Sequence, residues 1–404
     1  MNNESALGSI AESERVGSLD LLRGIAVLGI LAMNIQAFSM ILVSAFNPSA
    51  YGDLTSLNKL VWLFTYVFIE QKFYTIFTIL FGAGILLMKK RALDAGRPAR
   101  NLHYRRMTWL LLFGSMHAYL IWAGDILAGY AFTGMLIYWF AGKSTRLLIT
   151  LAVVCMVLPF ALQIGVFMAM PPEQLEEFKQ FWQPDQFAVD LETNAYLGSW
   201  LDQMGPRITQ AVQLQMQAVF FGGALRLGAT MFLGMALFQS RVLSAERSDA
   251  FYWKGLIAGF GIGFTLVIIA AFRRLAAGFV FEIEFNNFIN YWGAPFVAFG
   301  YICAVMLIYK NLKRGVIGRS LMAVGRMAFT NYILQSLICT FIFYGHGLGL
   351  FGQVPRTTQA LVVIGVWIFL MIISPWWLKY YRYGPLEWLW RSLAYRSRPQ
   401  MRRV

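Results

Sequence analysis

The sequence predicts an all-α, polytopic integral membrane helix bundle of about ten transmembrane helices, both termini cytoplasmic. Three observations lead there. Of 404 residues, 58% are hydrophobic and only 13% charged, with a mean hydropathy of +0.57. A soluble domain carries about 25% charged residues, so lipid must be the solvent for much of this chain. Apolar runs of spanning length recur from end to end, and the polar connections between them differ in the sign of their charge.

Residues 1–16 form a polar tail, and the apolar run that follows is too long for the h-region of a cleavable signal. A spanning helix needs about 20 mainly apolar residues. Segments meeting this description lie at 17–43, 58–88, 106–123, 125–142, 146–170, 215–238, 252–271, 288–309, 320–344 and 359–380, giving a bundle over 17–383. The 89–105 connection is basic: with Arg106 it carries seven Lys/Arg against one Asp. Residues 310–319 hold four bases and no acid, and the tail 384–404 is basic with an interfacial helix. Residues 171–207 run the other way, with seven acids against two bases. Alternate crossing puts the basic connections on the cytoplasmic side and 171–207 outside, where its Phe, Trp and Leu spacing suits an amphipathic lid. The net charge of +14 thus belongs to the positive-inside pattern, and nucleic acid is not an expected partner. Cys155, Cys303 and Cys339 lie singly in apolar runs and offer no disulfide framework or metal site.

Ionisable residues within spans are costly, which marks them as functional candidates. Glu70 and Lys72 fall in the middle of the long second segment, so either the helix breaks there or the pair faces a polar cavity. In "MHAYLIWAGDILAGY" (116–130), His117 and Asp125 flank the tight "WAGD" turn. That turn sets their two helices side by side and places His117 about 10 Å below it. Asp125 is also well placed to cap the next helix. His117 is expected to face a water-accessible cavity, with Asp125 in direct or one-water contact. Asp20 and Arg23, three apart on the first helix, can pair, and Asn34 lies about three turns deeper. In "GRMAFTNYILQS" (325–336), Asn331 and Gln335 share a face and Arg326 stands at the entrance. In "YGPLEWLWR" (383–391), Gly-Pro is expected to end the last spanning helix and Glu387 to pair with Arg391 at i,i+4.

These stretches together resemble one family. "LDLLRGIAVLGILAMN" (19–34), "LFGAG" (80–84), "HAYLIWAGDILAGY" (117–130), "GRMAFTNYILQ" (325–335) and "GPLEWLWR" (384–391) are similar to the YeiB-like family of bacterial inner-membrane proteins, domain of unknown function 418. The first stretch also resembles the opening of the heparan-alpha-glucosaminide N-acetyltransferases and of the acyltransferase-three family. That distant likeness implies a transmembrane acyltransferase bundle to which acyl-CoA comes from the cytoplasm. Aligned on Asp20 and Arg23, the acyltransferase-three histidine falls on Asn34, and 44–57 contains no histidine. A catalytic role would therefore pass to His117.

Two functional readings follow. In the first, an acyl group moves from acyl-CoA to an envelope glycan, lipid or small molecule. His117 is the general base and Asp125 orients it. Arg23, Lys72, Arg105 and Arg106 hold the phosphates of the donor, and Asp20, Asn34, Arg326, Asn331 and Gln335 complete the binding set. No covalently held cofactor is expected, and an oligomer is compatible with the sequence. In the second, Glu70, Lys72, His117 and Asp125 line the path of a proton-coupled transporter or channel.

Overall fold

A computed structural model of the chain describes residues 16–220, 222–281 and 286–403. The polar tail expected over 1–16 lies outside them but for Val16. Among the described residues every regular element is helical: α1 Gly17–Ser39, α2 Ser56–Phe64, α3 Lys72–Asp94, α4 Ala99–Leu120, α5 Leu127–Ile137, α6 Thr145–Met168, α7 Pro172–Trp182, α8 Gln186–Leu197, α9 Met204–Phe220, α10 Gly223–Gln239, α11 Asp249–Ala276, α12 Asn286–Leu312, α13 Val316–Arg326, α14 Ala328–Phe343, α15 Arg356–Tyr380 and α16 Pro385–Tyr395. One isolated bridge joins Tyr381 to Arg402.

The helix α1 is the axis. Its apolar residues feed two adjoining cores, one with α14 and α15 and one with α3 and α12. Gly24 and Gly325 let α1 and α13 touch backbone to backbone. A Cβ on Gly24 would meet the Leu321 carbonyl oxygen at 2.0 Å, and one on Gly325 would meet that of Asp20 at 1.8 Å. Small residues serve this purpose where lipid gives helices no hydrophobic reason to associate. By contrast α6, α11 and α15 turn Leu162, Ile257 and Ile372 outward, each more than half exposed. An apolar belt of this extent is stable only against lipid.

Among the described residues six helices are long and apolar enough to cross a membrane, or seven if the bent pair formed by α9 and α10 is one span. The ten-segment expectation included three weaker pieces. The helix α5 has 11 residues before a 3₁₀ turn. Arg100, Arg105 and Arg106 lie in the first two turns of α4. The expected span 320–344 is divided at Met327, leaving an α14 of 16 residues.

The long second segment is broken. A π-helical turn covers Thr65–Ile69, Glu70 is extended and Gln71 adopts a left-handed conformation (φ 65°) before α3 begins at Lys72. The Gln71 amide goes to Met33 Sδ, so the Tyr66 carbonyl lacks its helical donor. Lys72 Nζ reaches back to that oxygen at 2.6 Å and to Asn290 Oδ1 at 3.1 Å. At the far end of the chain, Gly384 precedes α16 instead of ending α15, which stops at Tyr380. Glu387 does not pair with Arg391. Its carboxylate accepts from the Phe329 and Thr330 amides (2.7 and 3.1 Å) and from Thr330 Oγ1 (2.6 Å), capping α14 from another helix.

Candidate functional site

The helices α4 and α5 meet where α4 has no side chain. A Cβ on Gly114 would lie 2.3 Å from the Ala128 amide nitrogen and 2.9 Å from Asp125 Oδ2. This gap brings Asp125 against the last turn of α4, where His117 projects. Asp125 Oδ1 lies 2.8 Å from His117 Nδ1, and Oδ2 accepts from the Ala128 amide at 2.7 Å. The cap and the imidazole therefore use different oxygens of one carboxylate.

The opposite ring nitrogen, Nε2, lies 2.9 Å from Ser336 Oγ on α14. A carboxylate only accepts, so Nδ1 carries the ring hydrogen and the Nε2 lone pair faces the serine hydroxyl. Asp125, His117 and Ser336 thus form an ordered relay of acceptor, imidazole and hydroxyl, the arrangement that activates a hydroxyl for chemistry. Ser336 was not among the residues expected from the sequence.

The water-accessible cavity expected at His117 is not found there. His117 is 1% exposed and Asp125 2%. The imidazole lies edge-on to the Trp122 ring (6.2 Å) and tilted against that of Tyr332 (5.1 Å), and Trp122 stacks on Phe38 at 4.0 Å. Both ring nitrogens meet side chains, and the imidazole packs against the Trp122 and Tyr332 rings. Beyond the relay, Trp200 Nε1 and Arg207 Nη1 both donate to the Leu120 carbonyl at 3.0 Å. The acidic segment 171–207 thereby sits over this end of α4. In it α7 stays exposed, while α8 docks through Val189 and Tyr196.

The cavity is found instead on the other side of Tyr332. It occupies about 300 Å³ and opens at the end of the bundle that carries the basic connection 89–105. Phe77, Phe81, Met107 and Leu110 give it an apolar interior, with Tyr130 and Tyr332 on its floor. Its mouth holds seven arginines, 23, 91, 97, 106, 326, 382 and 391, against two acids. Asp20 is bonded to Arg23 at 2.8 Å, and Glu387 is committed to the α14 amides. The Arg106 guanidinium stacks 4.2 Å over Trp390. Burial alone would raise the Tyr395 phenol at this mouth, yet the charges of Arg106 and Arg391 hold it below its ordinary value. The mouth is an electropositive funnel over an apolar chamber.

Of the residues singled out in the sequence, Asp20, Arg23, Arg106 and Arg326 meet at this cavity. Arg105 points the other way, into a shallower hollow with Trp109 and Arg396. Lys72 is fully buried at the helix break, away from the cavity lining. Asn331 donates to the Val324 carbonyl and Ser374 Oγ, and Gln335 to the Val27 carbonyl. Both tie α14 to its neighbours. Asn34 is half-buried and does not line the cavity. Among the described residues no cluster of His, Cys, Asp and Glu could hold a metal ion.

Comparison with known proteins gives the following. A family model described as "Protein of unknown function (DUF418)" matches residues 237–397. The chain is 32% identical to the uncharacterized protein YxaH of Bacillus subtilis (strain 168), over 97% of each chain. It is also 32% identical to the uncharacterized protein YeiB of Escherichia coli (strain K12), over 95% of this chain and 97% of that one. An uncharacterized 39.9 kDa protein from the amylase 3′ region of Bacillus acidopullulyticus is 26% identical over 96% of this chain and 95% of its own.

Proposed function

The chain belongs to the YeiB-like DUF418 family, and from that premise we propose that it is an acyltransferase of the bacterial inner membrane. The observation that carries this reading is the Asp125–His117–Ser336 relay, placed just beyond a cavity that is apolar inside and ringed by arginines. Arginine suits phosphate because its planar fork binds two oxygens at once. A thioester donor such as acyl-CoA would leave its phosphates at Arg23, Arg91, Arg97 and Arg106 and lay its apolar acyl end inward. His117, oriented by Asp125, is the general base, and the acceptor is a hydroxyl or amine of an envelope glycan, lipid or small molecule. In this reading the chain crosses about ten times, with α5 and α14 as short crossings, and both termini lie in the cytoplasm on the basic side.

The rival transporter path is weakened by its own residues. The hydrogen bonds of Lys72 go to Tyr66 and Asn290, and those of His117 to Asp125 and Ser336. The proposed path is split into two groups.

The test is transfer from radiolabelled acyl-CoA of graded chain length to an envelope lipid and glycan extract by the detergent-purified protein. His117→Gln keeps a hydrogen-bonding side chain but removes the base, and should cut transfer by about 10²–10⁴-fold while leaving the fold intact. Full activity in His117→Gln would sink the assignment of the base. Absence of any acyl product from the wild type would sink the reaction class.

A further inference from the structure

A helical serine often returns its hydroxyl to the carbonyl four residues back; the buried Ser39 and the half-buried Ser240 and Ser392 do so here, whereas the buried Ser18 donates to the Leu243 carbonyl. Ser39, Ser240 and Ser392 each make that bond at 2.8 Å. Ser336 is as buried as Ser39, yet its Oγ stands 3.4 Å from the Tyr332 carbonyl and 2.9 Å from His117 Nε2. Its hydroxyl keeps only a long bond to its own helix, and its shorter contact is with the base. Phe329, Tyr332 and Ser336 follow one face of α14. The first two line the cavity, and Ser336 is the next residue along that face, about 6 Å beyond Tyr332 by the helical rise.

The two phenols on the cavity floor are in different states. Thr78 donates to the Tyr74 carbonyl at 2.8 Å, so its 2.6 Å contact with the Tyr130 hydroxyl must be donated by Tyr130. The Tyr130 hydrogen is used. Tyr332 accepts from the Ile126 amide at 3.3 Å, and its own hydrogen has no acceptor among the described residues. Tyr332 can therefore donate to a ligand oxygen, and it borders both the cavity and the imidazole.

We propose that Ser336 is a covalent nucleophile that carries the acyl group, so that transfer runs in two steps through an acyl-serine. The proposal rests on the acyl-transfer reading above. In the first step Ser336 Oγ attacks the thioester carbonyl carbon, His117 Nε2 takes the hydroxyl proton, and Tyr332 donates to the developing oxyanion. The C–S bond breaks and His117 returns the proton to the departing thiolate. In the second step an acceptor hydroxyl or amine attacks the serine ester and loses its proton to His117. The C–Oγ bond breaks and Ser336 recovers the proton.

Two measurements on the detergent-purified full chain test this. The first is labelling by a fluorophosphonate, which reacts with activated serines whatever the natural donor, followed by peptide mapping. Label on Ser336, absent in Ser336→Ala and at least about 100-fold slower in His117→Gln, supports the proposal. An unlabelled Ser336 overturns it. The second is acid quenching after mixing with labelled acetyl-CoA. An acetyl ester on the peptide bearing Ser336 supports the two-step route, and Tyr332→Phe should slow its formation about 10²-fold. Transfer at the wild-type rate by Ser336→Ala overturns the covalent step but leaves His117 as a base for direct transfer. Fluorophosphonate label on Ser336 with no acyl transfer from any donor overturns the transferase reading and leaves the activated serine standing. Helical circular dichroism and thermal unfolding of Ser336→Ala that match the wild type show that loss of label is not loss of fold.

Discussion

Asp125 divides its two oxygens between His117 Nδ1 and the Ala128 amide, and this division makes its substitutions informative. In Asp125→Asn the single oxygen can remain on Ala128, which turns the amide NH₂ toward Nδ1. The ring hydrogen then moves to Nε2 and points at Ser336, so the relay runs backwards. We expect Asp125→Asn to keep its helical circular dichroism and lie within about 1 kcal/mol of the wild type by thermal unfolding. Its transfer rate should fall by about 10⁴-fold, the loss associated with a mis-set tautomer in such a relay. Asp125→Ala removes the cap as well, and should cost a further ~0.5–2 kcal/mol. An Asn variant as active as the wild type would remove Asp125 from the chemistry. The contact of His117 with Asp125 was legible in the sequence, because so short a turn, six residues between α4 and α5, sets its helices side by side. Ser336 was not legible. A serine in an apolar helix reads as satisfied by its own backbone; here that bond is long, 3.4 Å to the Tyr332 carbonyl, and a 2.9 Å contact to His117 Nε2 stands beside it.

Helices were readable from hydropathy, and so was one interruption, since Glu70 and Lys72 in an over-long segment already offered a break there. The division at Met327 was not: Gly325, two residues before it, serves the contact with α1. The division is made by Glu387, 58 positions on from Phe329, supplying a cap from α16. A contact of that range leaves no local trace. Lys72 was grouped with the donor-binding cations, but the break at Gln71 leaves its amine bonded to the Tyr66 carbonyl and Asn290, away from the cavity. Two substitutions test how elements depend on such contacts. Glu387→Ala leaves two buried amides and a hydroxyl without their acceptor and should destabilise the protein by about 1–3 kcal/mol, with faster hydrogen exchange at the start of α14. Protection unchanged at Phe329 and Thr330 would mean that α14 is held by packing alone. Gly114→Ala drives a methyl into the α5 backbone. It should cost about 1–3 kcal/mol as an overpacked contact and impair transfer, since it separates Asp125 from His117. A Gly114→Ala protein with wild-type stability and activity would show that α4 and α5 can part without consequence.

At the scale of the molecule, the all-helical, lipid-facing architecture was legible because 13% charge cannot coat a soluble surface of this size. The number of crossings is less so, since α5 and α14 are shorter than a bilayer crossing requires. Orientation is open to direct measurement on a background lacking Cys155, Cys303 and Cys339. Cysteines placed at Ala95 and Arg398 should resist an impermeant thiol reagent in intact cells, and one at Glu176 should react. Labelling at position 95 from outside would invert the arrangement. The closed floor of the cavity has a consequence for the host cell. In the reading proposed above, the packing where the Tyr332 hydroxyl meets the Ile126 amide and Trp122 lies on Phe38 has to serve as an electrical seal across the membrane. Any water-filled passage there would let protons run down a potential worth about 2.3 kcal/mol per charge at 100 mV, at the expense of the energised membrane. A hole made at that plug, as in Tyr332→Gly, should therefore appear as acidification of dye-loaded proteoliposomes under an imposed potential, before any effect on catalysis is sought.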